Sequence, residues 1–442
     1  MFGGRLISGS SSCVEGRGIW GRSMTKPAFD VLILGGGVVG MSTACHLAMR
    51  GATKYLRVAV VERDASYRQA SAVLSAGGLR QQFSLAENIK MSLYGLEFIR
   101  AMPSWPQAAD VQFREQGYVF TAGSAAGAQT LRENHQLQTA SGADIEIIEK
   151  AQLRAAFPWM NTSNITLASR GRTGEGWFDP WTMLSNMKRR AKEGGVTFIQ
   201  GALQDLTLTP SKTAISSAAV QDESGQLQQL TAGTFVMAAG AWAAASGMDK
   251  VVQRLGGIDT FGVWPVRPRR RCIFNFHCPS ATEHGVDSAG LTVDPSGVYF
   301  RPEGKGSDKF ICGVSPTEDE DVDLSKFDSR DVDHALFEEV IWPTIASRVP
   351  AFEEIKLKAS WSGLYEYSTL DQNAFMGRMP QVDNLLICNG FSGHGLQQSP
   401  AAGRAMAELV VDGRYTTLDL SIFGMQRLLT SPPTPVLERN IV

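Results

Sequence analysis

Residues 30–64, DVLILGGGVVGMSTACHLAMRGATKYLRVAVVERD, carry the pattern that decides the fold. The apolar run at 31–34 leads directly into three consecutive glycines. Apolar residues at helical spacing follow, and a second apolar run occupies 58–61. This order predicts a strand, a tight turn, a helix and a second strand, the unit from which parallel sheets are built.

Gly35, Gly37 and Gly40 form the pattern G-x-G-x-x-G, and each position requires glycine for a physical reason. Gly35 allows a sharp turn, Gly37 lets the backbone approach a pyrophosphate, and Gly40 lets the helix pack closely on the strand. The free N–H groups at the start of the helix then attract the phosphate charge. Glu62, at the end of the second strand, is placed to accept hydrogen bonds from ribose hydroxyls. The pattern therefore predicts a dinucleotide site, and its alternative is a glycine-rich turn in an unrelated α/β protein.

The composition is that of a globular protein with more than one domain. The chain has 442 residues, of which 43 % are hydrophobic and 19 % are charged, and this length favours two or more domains. A formal net charge of −2 argues against a general nucleic-acid-binding protein, which would carry a basic excess. No apolar run approaches the roughly 20 residues that cross a bilayer, so no transmembrane segment is expected.

The cysteines argue against a metal site. All 6 are scattered along the chain, and no two form a C-x-x-C pair. No metal site is therefore predicted, and reduced thiols in an intracellular compartment are expected.

The first 26 residues differ from the rest of the chain. This segment contains four basic residues, Arg5, Arg17, Arg22 and Lys26, but only one acidic residue, Glu15. Many of its other residues are serines and glycines. Such a composition is typical of a mitochondrial transit peptide, and the alternative is a tail without a targeting role. We expect a mitochondrial protein on the matrix side, and peripheral attachment to the inner membrane stays open.

Two further loops are candidates for contact with a cofactor. Segment 71–78, SAVLSAGG, can bring backbone N–H groups close to a flavin or a pyrophosphate, or else is only a flexible connection. The loop at 389–400, NGFSGHGLQQSP, follows an apolar run and precedes a helix predicted from about 401 to 411. A helix start suits a flavin, because the reduced ring carries negative charge near N1 and C2=O. His394 in this loop is either a flavin contact or a support for the loop.

Two patterns in the second half of the chain are open to more than one interpretation. The basic run RPRRR at 267–271 is interpreted as a solvated strand edge, narrowly favoured over an anion or partner site. Trp361, Tyr365 and Tyr367 alternate along a predicted strand and would line one face of it. That face is either part of the core or the wall of a binding site.

Together these motifs resemble the D-amino-acid oxidase/sarcosine oxidase superfamily of FAD enzymes, over about residues 28–425. The first glycine turn and the late GFSGHG loop carry this resemblance. The segments SAGGLRQQFSLAEN, EGWFDPW, SPTE, RVPAFE, FSGHGLQQSP and the final NIV, with the basic run at 267–271, resemble a mitochondrial branch of the superfamily. Members of that branch act in the assembly of respiratory complex I.

The resemblance implies an α/β fold with two interleaved domains. A Rossmann-like FAD-binding domain would comprise residues 27–112, 163–258 and 364–430. An antiparallel-sheet substrate domain would comprise 113–162 and 259–363 and would cover the flavin as a lid. Residues 1–26 would be the transit peptide, and 431–442 a C-terminal tail.

The resemblance also implies a set of site residues. The expected FAD contacts are Gly35, Gly37, Val38, Gly40, Glu62, Arg63, Ser71, Ser75, Gly77, Gly78, Arg80, Leu203, Ala239, Gly240, Gly393, His394, Gly395 and Leu396. The candidate pocket residues, none with an assigned catalytic role, are Arg80, Tyr299, Trp361, Tyr365 and Gln397. Among these, the three aromatic side chains would form a wall over the isoalloxazine.

Four positions depart from the sarcosine oxidases of this superfamily. Gly363 stands where those enzymes attach the flavin through a cysteine, so non-covalent FAD is expected. Gln397 and Phe83 replace the lysine and arginine that clamp a substrate carboxylate, although Arg80 lies nearby. Ile311 replaces the lysine that activates oxygen, which favours another electron acceptor.

Two functions therefore follow as hypotheses from the resemblance and the residues. The first is an FAD-binding protein required for assembly of respiratory complex I, with complex I subunits or assembly intermediates as partners. The alternative is an FAD-dependent dehydrogenase, rather than an oxidase, that oxidises a secondary amine or an N-methylated amino acid and passes electrons to an acceptor. An aromatic hydroxylase on a related fold is disfavoured, because those enzymes carry a Gly-Asp motif at the late flavin loop.

Overall fold

The computed structural model describes residues 27–257, 262–304, 306–316, 321, 331–430 and 433–440. The predicted transit peptide, residues 1–26, lies outside the described residues. No helix in the described part of the chain is long and apolar enough to cross a membrane.

The strands lie throughout the described residues. In chain order they are β1 Phe29–Leu34, β2 Val58–Glu62, β3 Gly78–Leu79, β4 Tyr118–Ala122, β5 Ile145–Glu149, β6 Leu167–Gly171, β7 Gly176–Trp177, β8 Thr197–Gln200, β9 Ala202–Leu208, β10 Ile215–Gln221, β11 Leu227–Leu230, β12 Ala232–Met237, β13 Val266–His277, β14 Leu291–Val293, β15 Tyr299–Pro302, β16 Lys309–Gly313, β17 Lys356–Ser368, β18 Phe375–Arg378 and β19 Leu385–Asn389.

The helices alternate with these strands. The α-helices are α1 Val38–Met49, α2 Ala86–Ala101, α3 Ala125–Ala140, α4 Lys150–Ala156, α5 Pro180–Glu193, α6 Asp249–Arg254, α7 Pro279–Glu283, α8 His334–Leu336, α9 Trp342–Arg348 and α10 Gly395–Val411. Shorter helical turns are Ala52–Lys54, Met102–Ser104, Gly240–Trp242, Ala244–Met248, Val286–Ser288, Phe337–Ile341, Pro350–Glu354, Ser421–Phe423 and Met425–Leu428.

A six-stranded sheet in the described residues has the order β18-β19-β12-β1-β2-β8. Its strands pair in parallel except for β18, which is antiparallel to β19. The central strands are buried on both faces, as expected for apolar runs between two helical layers. The strand, turn, helix and strand predicted for 30–64 form the middle of this sheet, and the predicted α/β fold class is confirmed.

An eight-stranded, largely antiparallel sheet follows the order β17-β13-β16-β15-β14-β4-β6-β5 among the described residues. Strand β6 pairs here with β4 and β5, although residues from 163 onward were expected in the FAD-binding domain. Strand β17 likewise continues to Ser368, past the expected boundary at 363. The sheet therefore extends beyond both expected boundaries, because the ladder pairing continues along these strands.

Helices α1 and α10 pack closely against each other on one face of the six-stranded sheet. A Cβ atom on Gly403 would lie 2.3 Å from Ser42 Oγ, so only glycine permits this separation. Helix α5 begins at Pro180, and the Asp179 carboxylate caps it by accepting from the backbone N–H groups of Trp181 at 3.1 Å and Thr182 at 3.2 Å. This start was predicted from the sequence Asp-Pro, and the structure confirms it.

The start of helix α10 was predicted too late. The helix begins at Gly395 rather than near Ala401 and includes Pro400. Proline has no N–H to donate to the Leu396 carbonyl, but the Ser399 hydroxyl donates to that carbonyl at 2.9 Å. The lost hydrogen bond is thereby replaced, and the first turn of the helix forms inside the glycine loop.

A buried ion pair fastens the end of the described chain to the six-stranded sheet. Arg427 Nε lies 3.2 Å from Asp371 Oδ2, and the two side chains are 4 % and 0 % exposed. The same carboxylate accepts from the backbone N–H groups of Asn373 at 3.1 Å and Val436 at 2.9 Å. Burial lowers the pKa of Arg427 to about 10, so the arginine remains charged at neutral pH.

Replacing Asp371 by alanine should lower the free energy of unfolding by about 3–5 kcal/mol, because it leaves a buried guanidinium without its counter-charge. Urea denaturation followed by circular dichroism measures this change. Asp412→Ala is the matched control, since the Asp412–Arg50 pair lies at the surface and contributes about 0–1 kcal/mol. Equal effects of the two substitutions would contradict the structural role of the buried pair.

Candidate functional site

The turn after β1 is built by close backbone contacts. Gly35 has φ +105°, and a Cβ atom on it would lie 2.4 Å from the carbonyl oxygen of Ala238. A Cβ atom on Gly40 would lie 1.9 Å from the carbonyl oxygen of Gly35. Both positions therefore require glycine. Gly40 packs directly against the turn at Gly35 and against Ile33 of β1, which agrees with the close packing of helix on strand predicted for it.

Helix α1 begins at an open cleft. Gly37 is its N-cap with φ −63° and ψ −177°, and no side chain caps the helix there. A Cβ atom on Gly37 would have no neighbour within 4 Å. Backbone N–H groups at this helix start are thus accessible to an anion from the cleft, and the residues present fit a pyrophosphate.

The first chamber of the cleft has a volume of about 130 Å³ and lies beside this helix start. We call it the adenosine chamber. Its lining includes the site residues Gly35, Gly37, Val38, Glu62, Arg63, Ser71, Leu203, Ala239 and Gly240, and also Trp242. The Arg63 guanidinium lies 4.1 Å from the centre of the Trp242 indole ring. A flat cation stacked on an aromatic ring offers a planar surface for a base.

Glu62 lies at the end of β2 inside the adenosine chamber. Its carboxylate accepts from the backbone N–H groups of Gly36 at 2.8 Å and Asp64 at 2.9 Å. Burial raises the pKa of Glu62 above its ordinary value, against the effect of these two hydrogen bonds. Each carboxylate oxygen can accept more than one hydrogen bond, so the group remains able to accept from ribose hydroxyls.

The second chamber has a volume of about 210 Å³ and contains most of the remaining candidate residues. We call it the flavin chamber. Its lining includes the predicted site residues Val38, Ser71, Ser75, Gly77, Gly78, Arg80, Tyr299, Tyr365, Gly393, His394, Gly395, Leu396 and Gln397. Both chambers share Val38, Val39, Ser71, Ala72 and Glu366 in their walls. The two chambers are therefore adjoining parts of one elongated cleft, the shape that a dinucleotide requires.

The first turn of α10 is tied to Arg80. The Gln397 side-chain oxygen accepts from the Arg80 backbone N–H at 2.7 Å, and His394 Nε2 lies 3.3 Å from Arg80 Nη2. Burial, and then the charge of Arg80, hold the pKa of His394 well below its usual range. The imidazole is therefore neutral at physiological pH and accepts from the guanidinium through Nε2.

Glu366 lies in the wall between the two chambers and was not singled out from the sequence. Its carboxylate accepts from the Gly390 backbone N–H at 2.8 Å and from the Asn389 side-chain amide. Burial raises the pKa of Glu366 to about 7. The late loop after β19 is thus fixed by a carboxyl group that changes its charge near neutral pH.

Aromatic and basic side chains form the lid side of the flavin chamber. The Arg271 guanidinium lies 4.1 Å from the centre of the Tyr365 ring and also donates to the Tyr365 hydroxyl. Arg271 makes two hydrogen bonds to the Asp321 carboxylate, at 2.8 Å and 2.7 Å. Burial raises the pKa of the hydroxyls of Tyr118, Tyr299 and Tyr365 above their ordinary value, so all three remain protonated.

The expected aromatic wall is partly different. Tyr299 and Tyr365 line the flavin chamber, whereas Trp361 is absent from its lining. The Trp361 indole N–H instead donates to the Leu74 carbonyl at 2.9 Å. Trp361 therefore supports the 71–78 loop from the outside. The alternating sequence pattern correctly predicted that Trp361 and Tyr365 share one face of β17. It could not predict how far along this strand the chamber extends.

The basic run at 267–271 was interpreted wrongly as a solvated strand edge. It lies on β13, which pairs with β17 on one side and with β16 on the other. Arg267 pairs with Asp249 at 2.9 Å, whereas Arg271 reaches the flavin chamber. An inward-pointing arginine in a central strand cannot be recognised by local charge alone, because the pairing that encloses it comes from distant segments.

The structure shows the surroundings of the positions at which this chain was expected to differ from the sarcosine oxidases. A Cβ atom on Gly363 would lie 3.2 Å from Leu74 Cβ, and no sulfur is present there to bind a flavin. Phe83 is fully buried and stacks 4.0 Å below the Arg80 guanidinium. Ile311 is 1 % exposed within β16.

Among the predicted site residues, Gly40 and Trp361 are absent from the chamber walls, and the structure adds Tyr118, Arg271 and Glu366.

Replacing Gly37 by valine should weaken FAD binding by about 1–3 kcal/mol, or roughly 5- to 150-fold, because the new side chain enters the cleft at the helix start. Its backbone angles suit any residue, so the apoprotein should still fold. Flavin fluorescence titration of the purified apoprotein measures the affinity, and thermal unfolding of the apoprotein checks the fold.

Gly262→Val is the matched control for this prediction. Gly262 is exposed, has no positive φ and also has open space around a Cβ atom, but it does not line either chamber. Unchanged FAD affinity in Gly37→Val would show that the dinucleotide lies elsewhere.

Comparison with known proteins agrees with this geometry. The family model described as FAD dependent oxidoreductase, DAO, matches residues 30–409. The chain is 43 % identical to FAD-dependent oxidoreductase domain-containing protein 1 of Xenopus laevis, over 93 % of this chain and 85 % of that protein. It is 40 % identical to the protein of the same name from Bos taurus, over 90 % of this chain and 84 % of that protein.

Solved structures with a similar fold include two amino-acid-oxidising enzymes. The L-proline dehydrogenase of P. horikoshii has a TM-score of 0.72 at 22 % identity, covering 89 % of this chain and 96 % of that one. The glycine oxidase of Geobacillus kaustophilus has a TM-score of 0.71 at 21 % identity, covering 91 % of this chain and 99 % of that one. The predicted superfamily is confirmed: the chain belongs to the DAO family of FAD-dependent oxidoreductases, and its cofactor is FAD.

Proposed function

We propose that the protein is a dehydrogenase that oxidises a secondary amine or an N-methylated amino acid by hydride transfer to FAD. The observation that carries this proposal is the lining of the flavin chamber, which contains Arg80, Arg271 and three tyrosines that burial keeps protonated. FAD supplies the hydride acceptor when bound, and the protein has to hold the amine in its reactive form and exclude water.

The charges in the flavin chamber favour the neutral form of an amine. Arg80 and Arg271 both line it. The Asp321 carboxylate balances the charge of Arg271, so Arg80 is the guanidinium whose charge disfavours an ammonium ion. An amine bound there would therefore have a lowered pKa and would carry the free electron pair that hydride transfer requires. A carboxylate on the same substrate would be attracted by the same two groups.

The tyrosines orient the substrate without acting as bases. Burial keeps the hydroxyls of Tyr299 and Tyr365 protonated, so they donate hydrogen bonds and do not remove a proton at neutral pH. Their rings cover the chamber on the lid side and keep bulk water away from the reacting bond. Hydride transfer from a neutral amine requires no further base, which agrees with this lining.

The residue at position 311 supports an acceptor other than oxygen. Ile311 is buried and apolar, whereas the corresponding lysine of sarcosine oxidases activates oxygen. No cation therefore stands at the position that activates oxygen in those enzymes, and the cations of this chamber, Arg80 and Arg271, lie at other positions of its wall. A quinone or an electron-transfer protein is the expected acceptor class.

Anaerobic mixing of the purified holoprotein with sarcosine, other N-methyl amino acids, proline and secondary amines should bleach the flavin absorbance with at least one of these compounds. Stopped-flow absorbance measures the rate and the apparent dissociation constant. Reoxidation by a soluble quinone should be faster than by oxygen. Absence of bleaching with every compound at millimolar concentration would contradict the dehydrogenase proposal.

An arginine variant sharpens this prediction. Arg271→Met should weaken the binding of a reactive amine that bears a carboxylate about 10- to 100-fold, from the loss of a charge-assisted hydrogen bond worth about 1.5–3 kcal/mol. It should have little effect on the same amine without the carboxylate. Arg267→Met is the matched control, because Arg267 lies on the same strand outside the chamber.

As a second function, we propose that the protein is required for assembly of respiratory complex I, with complex I subunits or assembly intermediates as partners. Its support is the likeness of the segments SAGGLRQQFSLAEN, EGWFDPW and FSGHGLQQSP to the mitochondrial branch of the superfamily. We propose a location on the matrix side of mitochondria for the same reason, supported by the arginine-rich, acid-poor residues 1–26. An assembly role and amine oxidation are compatible in one protein.

Deleting the gene should reduce the amount of assembled complex I in mitochondria, and the wild-type protein should restore it. Native gel electrophoresis with an in-gel NADH dehydrogenase stain measures the assembled complex. Rescue by Gly37→Val would show that assembly tolerates a weakened FAD affinity, whereas failure of Gly37→Val and rescue by Gly262→Val would make FAD binding essential. Normal complex I in the deletion strain would contradict the assembly proposal.

A further inference from the structure

The C-terminal residues 436–440, which we call the strap, are fastened to the body of the protein by specific contacts. Glu438 is 1 % exposed. Its carboxylate accepts from the Ser84 backbone N–H at 2.8 Å, the Ser84 hydroxyl at 2.7 Å and the Asn88 amide at 2.9 Å. Such a fully engaged carboxylate holds the strap against the start of helix α2.

Further hydrogen bonds continue along the strap in both directions. At one end, the Val436 backbone N–H donates to Asp371 at 2.9 Å and the Val436 carbonyl accepts from Asn373. At the other end, the Asn440 side chain donates to the Gln82 carbonyl at 2.5 Å. The strap is therefore an ordered part of the fold, although residues 431–442 were expected to form a tail.

The strap ends on the guanidinium of Arg80. The Asn440 carbonyl oxygen accepts from Arg80 Nη2 at 2.6 Å. The Gln82 carbonyl, itself held by the strap, accepts from Arg80 Nη1. Arg80 is 3 % exposed and lines the flavin chamber. Two carbonyl dipoles thus replace part of the water that this cation loses on burial.

Within the described residues, no carboxylate lies in ion-pair contact with Arg80, and its direct polar partners are carbonyl oxygens and the neutral His394. The carboxylates of Glu438 and Glu175 attract the guanidinium only through space. Burial lowers the pKa of Arg80. Holding a buried cation without an ion pair requires well-oriented dipoles, and the strap provides one directly and orients another.

The position of Arg80 relates this contact to the cofactor. Its backbone N–H and its side chain contact Gln397 and His394, both at the start of α10. A helix start and a guanidinium together make a positive region at one end of the flavin chamber. Reduced flavin carries a negative charge, so such a region stabilises the reduced form more than the oxidised form.

We propose that the strap is a positioning element of the flavin site: it holds the Arg80 guanidinium at the start of α10 and thereby raises the reduction potential of the bound FAD. This inference rests on FAD binding and does not depend on the identity of the substrate. Arg80 is the charged group, and Glu438 and Asn440 position it.

The test uses the full-length holoprotein and a variant that lacks residues 437–442. Loss of the strap should lower the ratio of affinities for reduced and oxidised FAD on the order of tenfold, which is about 30 mV for a two-electron couple. Equilibration with redox dyes under anaerobic conditions measures the potential. Arg80→Met should lower it by a similar amount, and the double variant should be no lower than Arg80→Met alone.

Arg439→Gln is the matched control. It removes a charge from the strap but leaves the contacts of Glu438 and Asn440, because the Arg439 side chain is exposed and only its backbone N–H contacts Ser84. The potential of this control should equal that of the wild type. Asn440→Ala, which removes the hydrogen bond to the Gln82 carbonyl and changes no charge, should shift the potential in the same direction as the deletion.

A second measurement separates positioning from general destabilisation. In the holoprotein lacking the strap, amide hydrogen exchange should increase for the segment from Arg80 to Asn88 while the core of β1 stays protected. An unchanged potential in the strap deletion, with a lowered potential in Arg80→Met, would overturn the role of the strap. An unchanged potential in both variants would overturn the role of Arg80 as well.

Discussion

The approach of the Gly35 turn to the backbone of Ala238 is the constraint on which the rest of the site depends. A single methyl group at position 35 would come within 2.4 Å of the Ala238 carbonyl oxygen. Because this contact is kept, strands β1 and β12 end side by side, and the start of α1 opens toward the residues after β12. The adenosine chamber is the space left between these two strand ends.

The described part of the molecule also uses carbonyl groups to hold charged arginines inside the protein. Arg80, Arg301 and Arg427 are each less than a tenth exposed. Arg301 donates to the carbonyls of Ala76 at 2.9 Å and Pro302 at 2.8 Å, and burial lowers its pKa to about 10. Ala76 lies in the loop that lines the flavin chamber. Buried cations therefore stabilise loops whose small residues make few apolar contacts of their own.

Local pattern was sufficient for the elements whose chemistry is local. The glycine frame, the strand at 31–34 and the Asp179–Pro180 helix start depend on steric and hydrogen-bonding properties within a few residues, and all were predicted. Arg271 and Glu366 were not recognised as chamber residues, because their surroundings come from strands that are distant in sequence. The early start of α10 was missed for a different reason: the Ser399 hydroxyl replaces the hydrogen bond that Pro400 removes, and helix rules treat a proline there as a boundary.

The order of strands in the six-stranded sheet has a consequence for how the protein acquires its shape. Strand β1 lies beside β12, and β12 lies beside β19, so several neighbours in the sheet are separated by long stretches of the chain. Helix α1 similarly packs on α10. Contacts of such long range form slowly, because the intervening loops must close before any pairing is gained. Early and late segments together line the two chambers, so FAD bound there would stabilise the closed arrangement by mass action. Bound FAD would thus link distant parts of the chain, and a cellular shortage of flavin would lower the amount of folded protein.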